Sequence, residues 1–207
     1  MLSNNNGIRV GHLAGEYPGL VGHLYSPGGQ RGPYEFMPYA LDNGIYGLRE
    51  KWTPEPWIKL LDWARLSGQS PRWALVPDAV GARELTLRRW LEFRGATASY
   101  GWPLAFAVQD GMEIHDVPKD ADVVFVGGST EWKWRTMAMW CANFPRVHVG
   151  RVNTYRRLVE CEEAGAEGVD GTGWTRGDQR QWRGLVAFLR ETSGRKDREV
   201  QGRLIYA

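Results

Sequence analysis

The apolar residues of this chain fall into two patterns that alternate along most of its length. Short, continuous apolar runs predict buried strands at residues 73–76, 104–108, 123–126, 147–149 and 168–170. Between them, apolar residues three and four positions apart predict helices over about 54–67, 82–94, 131–142, 153–164 and 178–190, with Asn153 as the N-cap of the fourth. Three further runs, 8–13, 20–25 and 36–41, are interpreted as strands, which brings the total to eight.

Repeated strand–helix units with continuously apolar strands are typical of a parallel sheet covered by helices. Eight such strands predict an α/β fold of a compact (β/α)8 TIM-like barrel, with reduced helices in the first third because the chain has only 207 residues. An open, doubly wound sheet is the alternative. We expect one domain over residues 1–207, a Gly- and Pro-rich loop over the barrel rim at residues 26–38, and a flexible polar tail from about residue 192.

Composition argues against several classes of protein. Hydrophobic residues make up 43% of the chain, which is typical of a folded domain, and the apolar runs are too short to span a membrane. No signal peptide is visible, so we expect a cytoplasmic protein, in the host cytoplasm if a phage encodes it, with Cys141 and Cys161 reduced. The cysteines and the four histidines form no zinc-binding spacing.

Positive charge is unevenly distributed, although the net charge is only +2. Arginines are frequent between residues 176 and 203, and others lie at Arg151, Arg156 and Arg157. Eleven tryptophans accompany them. Arginines mixed with large aromatic rings favour a nucleic-acid surface, through phosphate contacts and base stacking. Most of the tryptophans are nevertheless expected to pack helices against the sheet.

Polar residues or glycines lie at the ends of five of the predicted strands. They are Asp42, Asp78, Gln109, the pair Gly127 and Gly128, and Asp170. Each of them, taken alone, suits an ordinary turn or loop. The carboxyl ends of the strands of a parallel barrel meet at one rim, however, and such barrels place their active sites there. We therefore expect these residues around a single pocket.

The residue types suggest a site for a purine nucleoside. One carboxylate, Asp170, can attack the sugar carbon that bears the base, while the other, Asp42, moves protons, as in retaining glycosidases. Asp78 and Gln109 offer acceptors and donors that match the polar edge of guanine. Gly127 and Gly128 expose backbone groups and leave room for a flat base.

Neighbouring residues supply candidates for the walls of this pocket. Tyr46 follows Asp42 by four residues and can stack on the base, and the strand end with His148 and Val149 can form the opposite wall. A structural role is the alternative for His148. The run Gly127-Gly128-Ser129-Thr130 lacks the Gly-Lys-Ser/Thr ending of a phosphate-binding loop, so triphosphate binding is not expected.

These segments resemble the tRNA-guanine transglycosylase superfamily over about residues 41–174. The segment from Asp42 to Tyr46 is similar to the family's Asp-Ser-Gly-Gly-Tyr/Phe, Val-Gln-Asp-Gly around Gln109 to its Val-Gln-Gly-Gly, and Gly-Val-Asp at Asp170 to its Gly-Ile/Val-Asp. The resemblance implies a barrel enzyme that exchanges guanine for a 7-deazaguanine through a covalent aspartyl–sugar intermediate. It implies that Asp170 is the nucleophile, Asp42 the general acid/base and Tyr46 the stacking ring. Base recognition then falls to Asp78, Gln109, Gly127 and Gly128.

Two differences from the tRNA enzymes favour DNA over RNA as the substrate. The tRNA enzymes carry a zinc site of three Cys and one His, which this chain lacks, and they are much longer. The chain looks more like the phage and bacterial group that inserts 7-deazaguanines into DNA, which implies a DNA guanine transglycosylase that uses the free base, with the 7-cyano form expected. No metal or redox cofactor is implied. The target base would have to leave the duplex. We expect the opened strand to contact Trp132, Trp134 and Trp174, and its phosphates to contact Arg151 and Arg176.

Three other functions stay open at this stage. One is a hydrolase that releases a base or cleaves a glycoside with Asp42 and Asp170. Another is a tRNA-guanine transglycosylase, and the third is a non-catalytic nucleic-acid-binding subunit.

Overall fold

In a computed structural model, the chain forms an α/β fold with one sheet of seven parallel strands. The structure describes residue 1 and residues 7–28 and 33–205, with side chains for all of these except 7 and 196–205. The strands pair in chain order: β1 (His23–Tyr25), β2 (Tyr39–Leu41), β3 (Ala74–Leu75), β4 (Leu104–Val108), β5 (Val123–Val126), β6 (Val147–Val149) and β7 (Gly168–Val169). The helices are α1 (Gly7–Glu16), α2 (Ile45–Leu48), α3 (Pro54–Leu66), α4 (Arg83–Ala98), α5 (Thr130–Asn143), α6 (Tyr155–Glu163), α7 (Gly173–Arg176) and α8 (Gln179–Ile205), with 3-10 turns at Arg49–Lys51 and Ile114–Asp116.

The sheet curls into a half-barrel and is not the closed eight-stranded barrel that the sequence predicts. The difference arises at residues 8–13, where the predicted first strand is wrong because these residues belong to helix α1. Val10, Leu13, Ala14 and Tyr17 are all buried, and their spacing of three, four and seven places them on one helical face.

The two outer strands of the half-barrel do not pair with each other. Among the described residues, β1 pairs only with β2, and β7 pairs only with β6. Met1 lies between them: its amine donates a hydrogen bond to the carbonyl oxygen of Val169 in β7, and its side chain approaches Gly22 beside β1. Met1 therefore occupies part of the space that an eighth strand would fill.

Strands β1 to β6 are buried on both faces except at Phe125, whereas both residues of β7 are partly buried. Burial on both faces explains why the apolar runs are continuous. In β4, Phe106 and Val108 face the helix layer, and the ring of Phe106 packs edge-to-face on Trp90 of α4 with 5.2 Å between centroids. Ala105 and Ala107 alternate to the inner face of the sheet. These small side chains make room for larger inner-face residues of the same cluster, such as Trp73 and Phe125, whose rings pack edge-to-face.

The N-cap of α6 and the C-terminal end of α8 both bear on predictions from the sequence. Thr154, not the predicted Asn153, caps α6, because its hydroxyl accepts the hydrogen bond from the Arg157 N–H. Asn153 instead accepts from the N–H of Gly173 at 2.8 Å and so joins this segment to α7. Helix α8 continues to Ile205, so the backbone beyond residue 192 is helical, and the flexibility of this tail stays a prediction.

The connection between β1 and β2 contains no helix within residues 26–28 and 33–38, as the predicted rim loop requires. Its residues 29–32 lie outside the described residues. No helix in the described part of the chain is long and apolar enough to cross a membrane.

Candidate active site

A cavity of about 510 Å³ opens at the carboxyl edge of the sheet, a size typical of small-molecule sites. Residues that follow each of the seven strands line it. Nine of the residues predicted to form the site lie on its wall: Asp42, Tyr46, Asp78, Gln109, Gly127, Gly128, Arg151, Asp170 and Arg176.

Asp170 follows β7 and is only 6% exposed. Its Oδ2 atom lies 3.3 Å from Nε2 of His148, and its Oδ1 atom accepts a hydrogen bond from the backbone N–H of Arg151 at 3.3 Å. Burial opposes ionisation of this carboxyl, but the hydrogen bond with His148 and the positive charges nearby outweigh burial and lower the pKa of Asp170. Burial lowers the pKa of His148, although its contact with Asp170 opposes this decrease. An imidazole that donates its Nε2–H to Asp170 favours the ionised form of this carboxyl in either protonation state of the ring.

His148 lies inside the half-barrel behind this carboxylate and does not line the cavity. Its ring stacks on Phe125 with 5.3 Å between centroids and meets Trp73 edge-to-face at 4.9 Å. A Cβ atom at Gly168 would lie 2.9 Å from Nδ1 of the imidazole, so the glycine makes room for the ring. Val149 is fully buried in the helix-side core and is also absent from the cavity wall.

Asp42 follows β2, and its Oδ2 atom accepts a hydrogen bond from the hydroxyl of Ser26 at 2.8 Å. Burial raises the pKa of Asp42 to about 6, the Ser26 hydrogen bond counteracts this, and the negative charge of Asp170 adds to the increase. The two carboxyls of one cavity thus differ in their tendency to hold a proton. Such a difference is typical of pairs in which one acid is the ionised partner and the other exchanges protons.

Asp78 follows β3 and forms the centre of a buried network. Its Oδ1 atom accepts a hydrogen bond from Nδ2 of Asn43 at 2.8 Å, and its Oδ2 atom accepts one from Nε2 of Gln109 at 2.5 Å. Burial raises the pKa of Asp78, although these hydrogen bonds oppose the increase. Asn43 also binds the carbonyl oxygen of Val76 through Nδ2, at 3.2 Å.

The network fixes the orientation of the Gln109 amide. Its Oε1 atom accepts hydrogen bonds from the backbone N–H groups of Gly81, at 2.8 Å, and Gly128, at 2.9 Å. The carbonyl oxygen is therefore fully used, and the NH2 group, which donates one hydrogen to Asp78, has a second to offer to a ligand. A Cβ atom at Gly127 would lie 2.8 Å from this Nε2, so only glycine fits beside the amide without displacing it.

Arg151 spans the mouth of the cavity. Its guanidinium lies 4.8 Å from the centroid of the Tyr46 ring, with Nη1 at 3.4 Å from the phenolic oxygen, and it donates to the carbonyl oxygen of Gly128. Tyr46 is 49% exposed, and Arg176 is also exposed on the wall. A cation–π contact of this kind contributes about 0.5–1 kcal/mol at exposed sites, so an incoming ligand can displace it.

The three tryptophans expected to hold a nucleic-acid strand lie in the helix layer, and none lines the cavity. Trp132 and Trp174 are 7% and 2% exposed and belong to the core between helices and sheet. Trp134 is partly buried, with the guanidinium of Arg157 at 4.2 Å from its ring centroid. The buried rings of Trp132 and Trp174 present no face to a ligand, so the prediction that they hold a nucleic-acid strand does not fit this structure.

Among the wall residues that the sequence did not single out, two bind the carboxylates of the cavity, Ser26 to Asp42 and Asn43 to Asp78. Ser26 follows β1 directly, and the strand-end argument that selected Asp42 would also have selected it. Asn43 gives no such signal, because its hydrogen bond with Asp78 joins residues 35 positions apart. Within the described residues, no group of three or more His, Cys, Asp or Glu side chains could hold a metal ion.

Comparison with known proteins bears on the fold alone. No protein-family model and no curated protein matches the chain. A solved structure described as native KDPGal is similar with a TM-score of 0.51 and 14% sequence identity, over 94% of this chain and 93% of that chain. A cube-shaped, highly porous protein cage designed by fusing symmetric oligomeric domains matches with a TM-score of 0.44 and 15% identity, over 84% of this chain and 69% of that one. The first similarity supports the TIM-like α/β architecture.

Proposed function

We propose that this protein is a DNA guanine transglycosylase that exchanges guanine for a 7-deazaguanine, with the 7-cyano base as the expected substrate. One observation carries the proposal. Asp170, with a lowered pKa, and Asp42, with a pKa raised to about 6, face the same cavity as the hydrogen-bonded pair of Asp78 and Gln109. A nucleophile, a proton carrier and a donor–acceptor pair for a purine edge are the groups that base exchange requires.

In the first half of the exchange, a carboxylate oxygen of Asp170 forms a bond to C1′ of the deoxyribose while the C1′–N9 bond breaks. The electron pair of the broken bond leaves with guanine, and protonated Asp42 supplies a proton to the departing base. In the second half, Asp42, now a carboxylate, takes the N9 proton of the incoming deazaguanine. N9 then bonds to C1′, and Asp170 leaves as a carboxylate. A pKa near 6 lets Asp42 serve in both protonation states near neutral pH.

Asp78 and Gln109 supply the recognition of the base. Each carboxylate oxygen of Asp78 has a lone pair beyond the hydrogen bond that it already accepts, so it can bind ring and amino N–H groups of guanine. The remaining N–H of Gln109 can donate to the six-position oxygen. Adenine would place an amino group against that donor, so the pair favours a 6-oxo purine.

The contacts of Arg151 and Arg176 suit the nucleic-acid part of the substrate. Both arginines lie on the wall of the cavity that holds Asp170. A guanidinium can bind a phosphate through two hydrogen bonds. The flipped nucleotide would enter from this side, with its base against Tyr46 and its phosphate within reach of Arg151. The incoming base would displace the Arg151 side chain from the tyrosine ring.

The test is direct incorporation. We would incubate the protein with guanine-containing duplex DNA and 7-cyano-7-deazaguanine, digest the DNA and measure the nucleosides by mass spectrometry. We expect the deazaguanosine nucleoside with wild type and with Asp62→Asn, a control carboxylate exposed on α3. We expect none with Asp170→Asn, and a stable protein–DNA adduct with wild type when no free base is supplied. Incorporation that persists in Asp170→Asn refutes the assignment of the nucleophile.

The same reaction mixtures separate the alternatives. Adduct formation releases at most one guanine per protein. Continued release of free guanine beyond this amount, without an incoming base, identifies a hydrolase, since water then takes the place of the deazaguanine. Incorporation into tRNA and not into DNA identifies the RNA enzyme. DNA binding that is unchanged by Asp170→Asn, with no adduct and no base release, identifies a non-catalytic binding subunit.

A further inference from the structure

We propose that Lys133, a residue outside the cavity, is a positioning residue for Asp170: it holds the Gly150–Arg151 turn that hydrogen-bonds this carboxylate and adds a buried positive charge behind it. The inference deepens the proposed function, on which its kinetic part rests. The structural and titration part does not depend on any reaction.

Lys133 lies on α5, and its side chain is almost fully buried at 1% exposure. Its ammonium donates to the carbonyl oxygens of Gly150, at 2.5 Å, and Arg151, at 3.5 Å. Of the ion pairs between described residues, none includes Lys133. Burial of an ammonium without a contacting carboxylate opposes folding. The two carbonyl oxygens and the Trp134 ring, whose centroid lies 4.8 Å from Nζ, compensate this cost, so Lys133 is bound to the turn and not to an acidic partner.

The turn that Lys133 holds has an unusual backbone. Arg151 adopts a φ of 58°, in the left-handed region that residues with a side chain rarely occupy. A Cβ atom at Gly150 would lie 2.8 Å from the Phe125 ring, so glycine is required just before it. This backbone directs the Arg151 N–H at Oδ1 of Asp170. Lys133 binds the two carbonyl oxygens of the same turn and so stabilises the conformation that makes this contact.

Several charged or titratable groups face the Lys133 ammonium from neighbouring elements. Arg151, after β6, and Arg157, on α6, repel it, while Asp170, after β7, and Cys161, on α6, favour its charged form. Burial is the largest effect, and together these groups lower the pKa of Lys133 to about 8. The ammonium is therefore charged at neutral pH and loses its charge in the alkaline range.

This charge matters most when Asp170 is an anion. The carboxylate must be ionised to attack C1′, and it must leave as an anion when the incoming base displaces it. The buried positive charge of Lys133 interacts electrostatically with this carboxylate and favours its ionised form in both steps. Because the ammonium loses its proton as the pH rises past about 8, the support for Asp170 weakens there, and exchange should slow on the alkaline side.

Carboxyl and lysine titrations by ¹³C NMR test the inference without any substrate. We expect the Lys133 Cε signal of wild type to titrate near pH 8, well below an ordinary lysine. We expect the pKa of Asp170, assigned by comparison with Asp170→Asn, to rise in Lys133→Met and to return toward wild type in Lys133→Arg. An Asp170 signal that titrates identically in wild type and Lys133→Met overturns the inference. A normal lysine titration in wild type overturns it as well, even if the variant does not fold.

Kinetics supply the second readout. We expect Lys133→Met to lower kcat about tenfold, the factor that corresponds to a change of about one unit in the pKa of Asp170. We expect no change in KM for the free base. The alkaline decline should be absent from Lys133→Met, which has no charge to lose, and from Lys133→Arg, whose guanidinium stays charged and should restore kcat. Lys59→Met, at an exposed lysine on α3, should behave as wild type. A raised KM with normal kcat would place Lys133 in base binding and overturn the inference. If wild type exchanges no base, the proposed function fails, and the titrations alone still decide whether Lys133 supports Asp170.

Discussion

Replacing Gln109 with glutamate tests the network that orients the base-reading pair. The wild-type amide donates to Oδ2 of Asp78 at 2.5 Å, deep in the protein. Gln109→Glu removes this donor and places a second carboxyl at the same distance. Two buried carboxylates in contact cannot both be ionised, so the folded protein must hold one proton on the pair.

The magnitude follows from the cost of holding that proton. An unfolded glutamate has a pKa of about 4.3, so retaining a proton at pH 7 costs about 3.7 kcal/mol, at about 1.4 kcal/mol per pH unit. Above about pH 4.3 the folded variant binds one more proton than the unfolded chain, so its stability falls as the pH rises. We expect the loss relative to wild type to shrink to less than about 1 kcal/mol near pH 5.

Urea unfolding of wild type and Gln109→Glu between about pH 5 and 8 measures this slope. The difference between the two proteins is the relevant quantity, because burial already raises the pKa of Asp78 in wild type. The double variant Asp78→Asn with Gln109→Glu restores one donor and one acceptor at the contact, and we expect it to remove the slope. A stability difference that does not change with pH would refute the network as described.

Three further predictions concern the cavity wall. Gly127→Ala places a Cβ atom 2.8 Å from the Gln109 amide, so we expect KM for the free base to rise about tenfold or more in exchange assays. Ser26→Ala removes a hydrogen bond that lowers the pKa of Asp42, so the limb of the pH–rate profile that reports this carboxyl should move to higher pH. Arg176→Gln should weaken DNA binding and reduce the slope of log K against log salt by about one, measured by fluorescence anisotropy.

Matched controls make these results interpretable. Gly95→Ala, where a Cβ atom meets nothing within 4 Å, should leave KM unchanged and stabilise α4 by about 0.5–1 kcal/mol. Arg65→Gln removes an exposed arginine at the end of α3 and should leave the salt slope at its wild-type value. Equal effects of Arg176→Gln and Arg65→Gln, or an unchanged pH profile in Ser26→Ala, would contradict the corresponding prediction.

The strands at the centre of the sheet could be predicted from the sequence because they are buried on both faces. The predicted ranges 104–108, 123–126 and 147–149 agree with β4, β5 and β6. The predicted strand at residues 8–13 was wrong because the apolar residues there are few and are separated by glycines. So short a segment fits a strand as well as a helix. Once residues 8–13 are helical, the eighth strand is lost and the barrel cannot close. Tertiary packing of α1, and not its local pattern, decides this point.

The candidate site could be predicted only as far as strand ends reveal it. Position after a strand was enough to bring Asp42, Asp78, Gln109 and Asp170 to one cavity. It does not reveal which hydrogen-bond partner each side chain finds, because those contacts depend on residues distant in the chain. No sequence pattern identifies Lys133 as a buried residue, since a lysine on a helix is expected to face water.

The fixed orientation of Gln109 has a consequence for the direction of base exchange. Under the proposed function, the edge that Asp78 and Gln109 would contact belongs to the six-membered ring. Guanine and its 7-deaza relatives carry the same oxo and amino groups there. If exchange is the reaction, the departing and arriving bases compete for one pocket on nearly equal terms at that edge. Guanine would then act as a product inhibitor and as a substrate for reversal. The extent of modification would depend on how dilute guanine stays relative to the modified base.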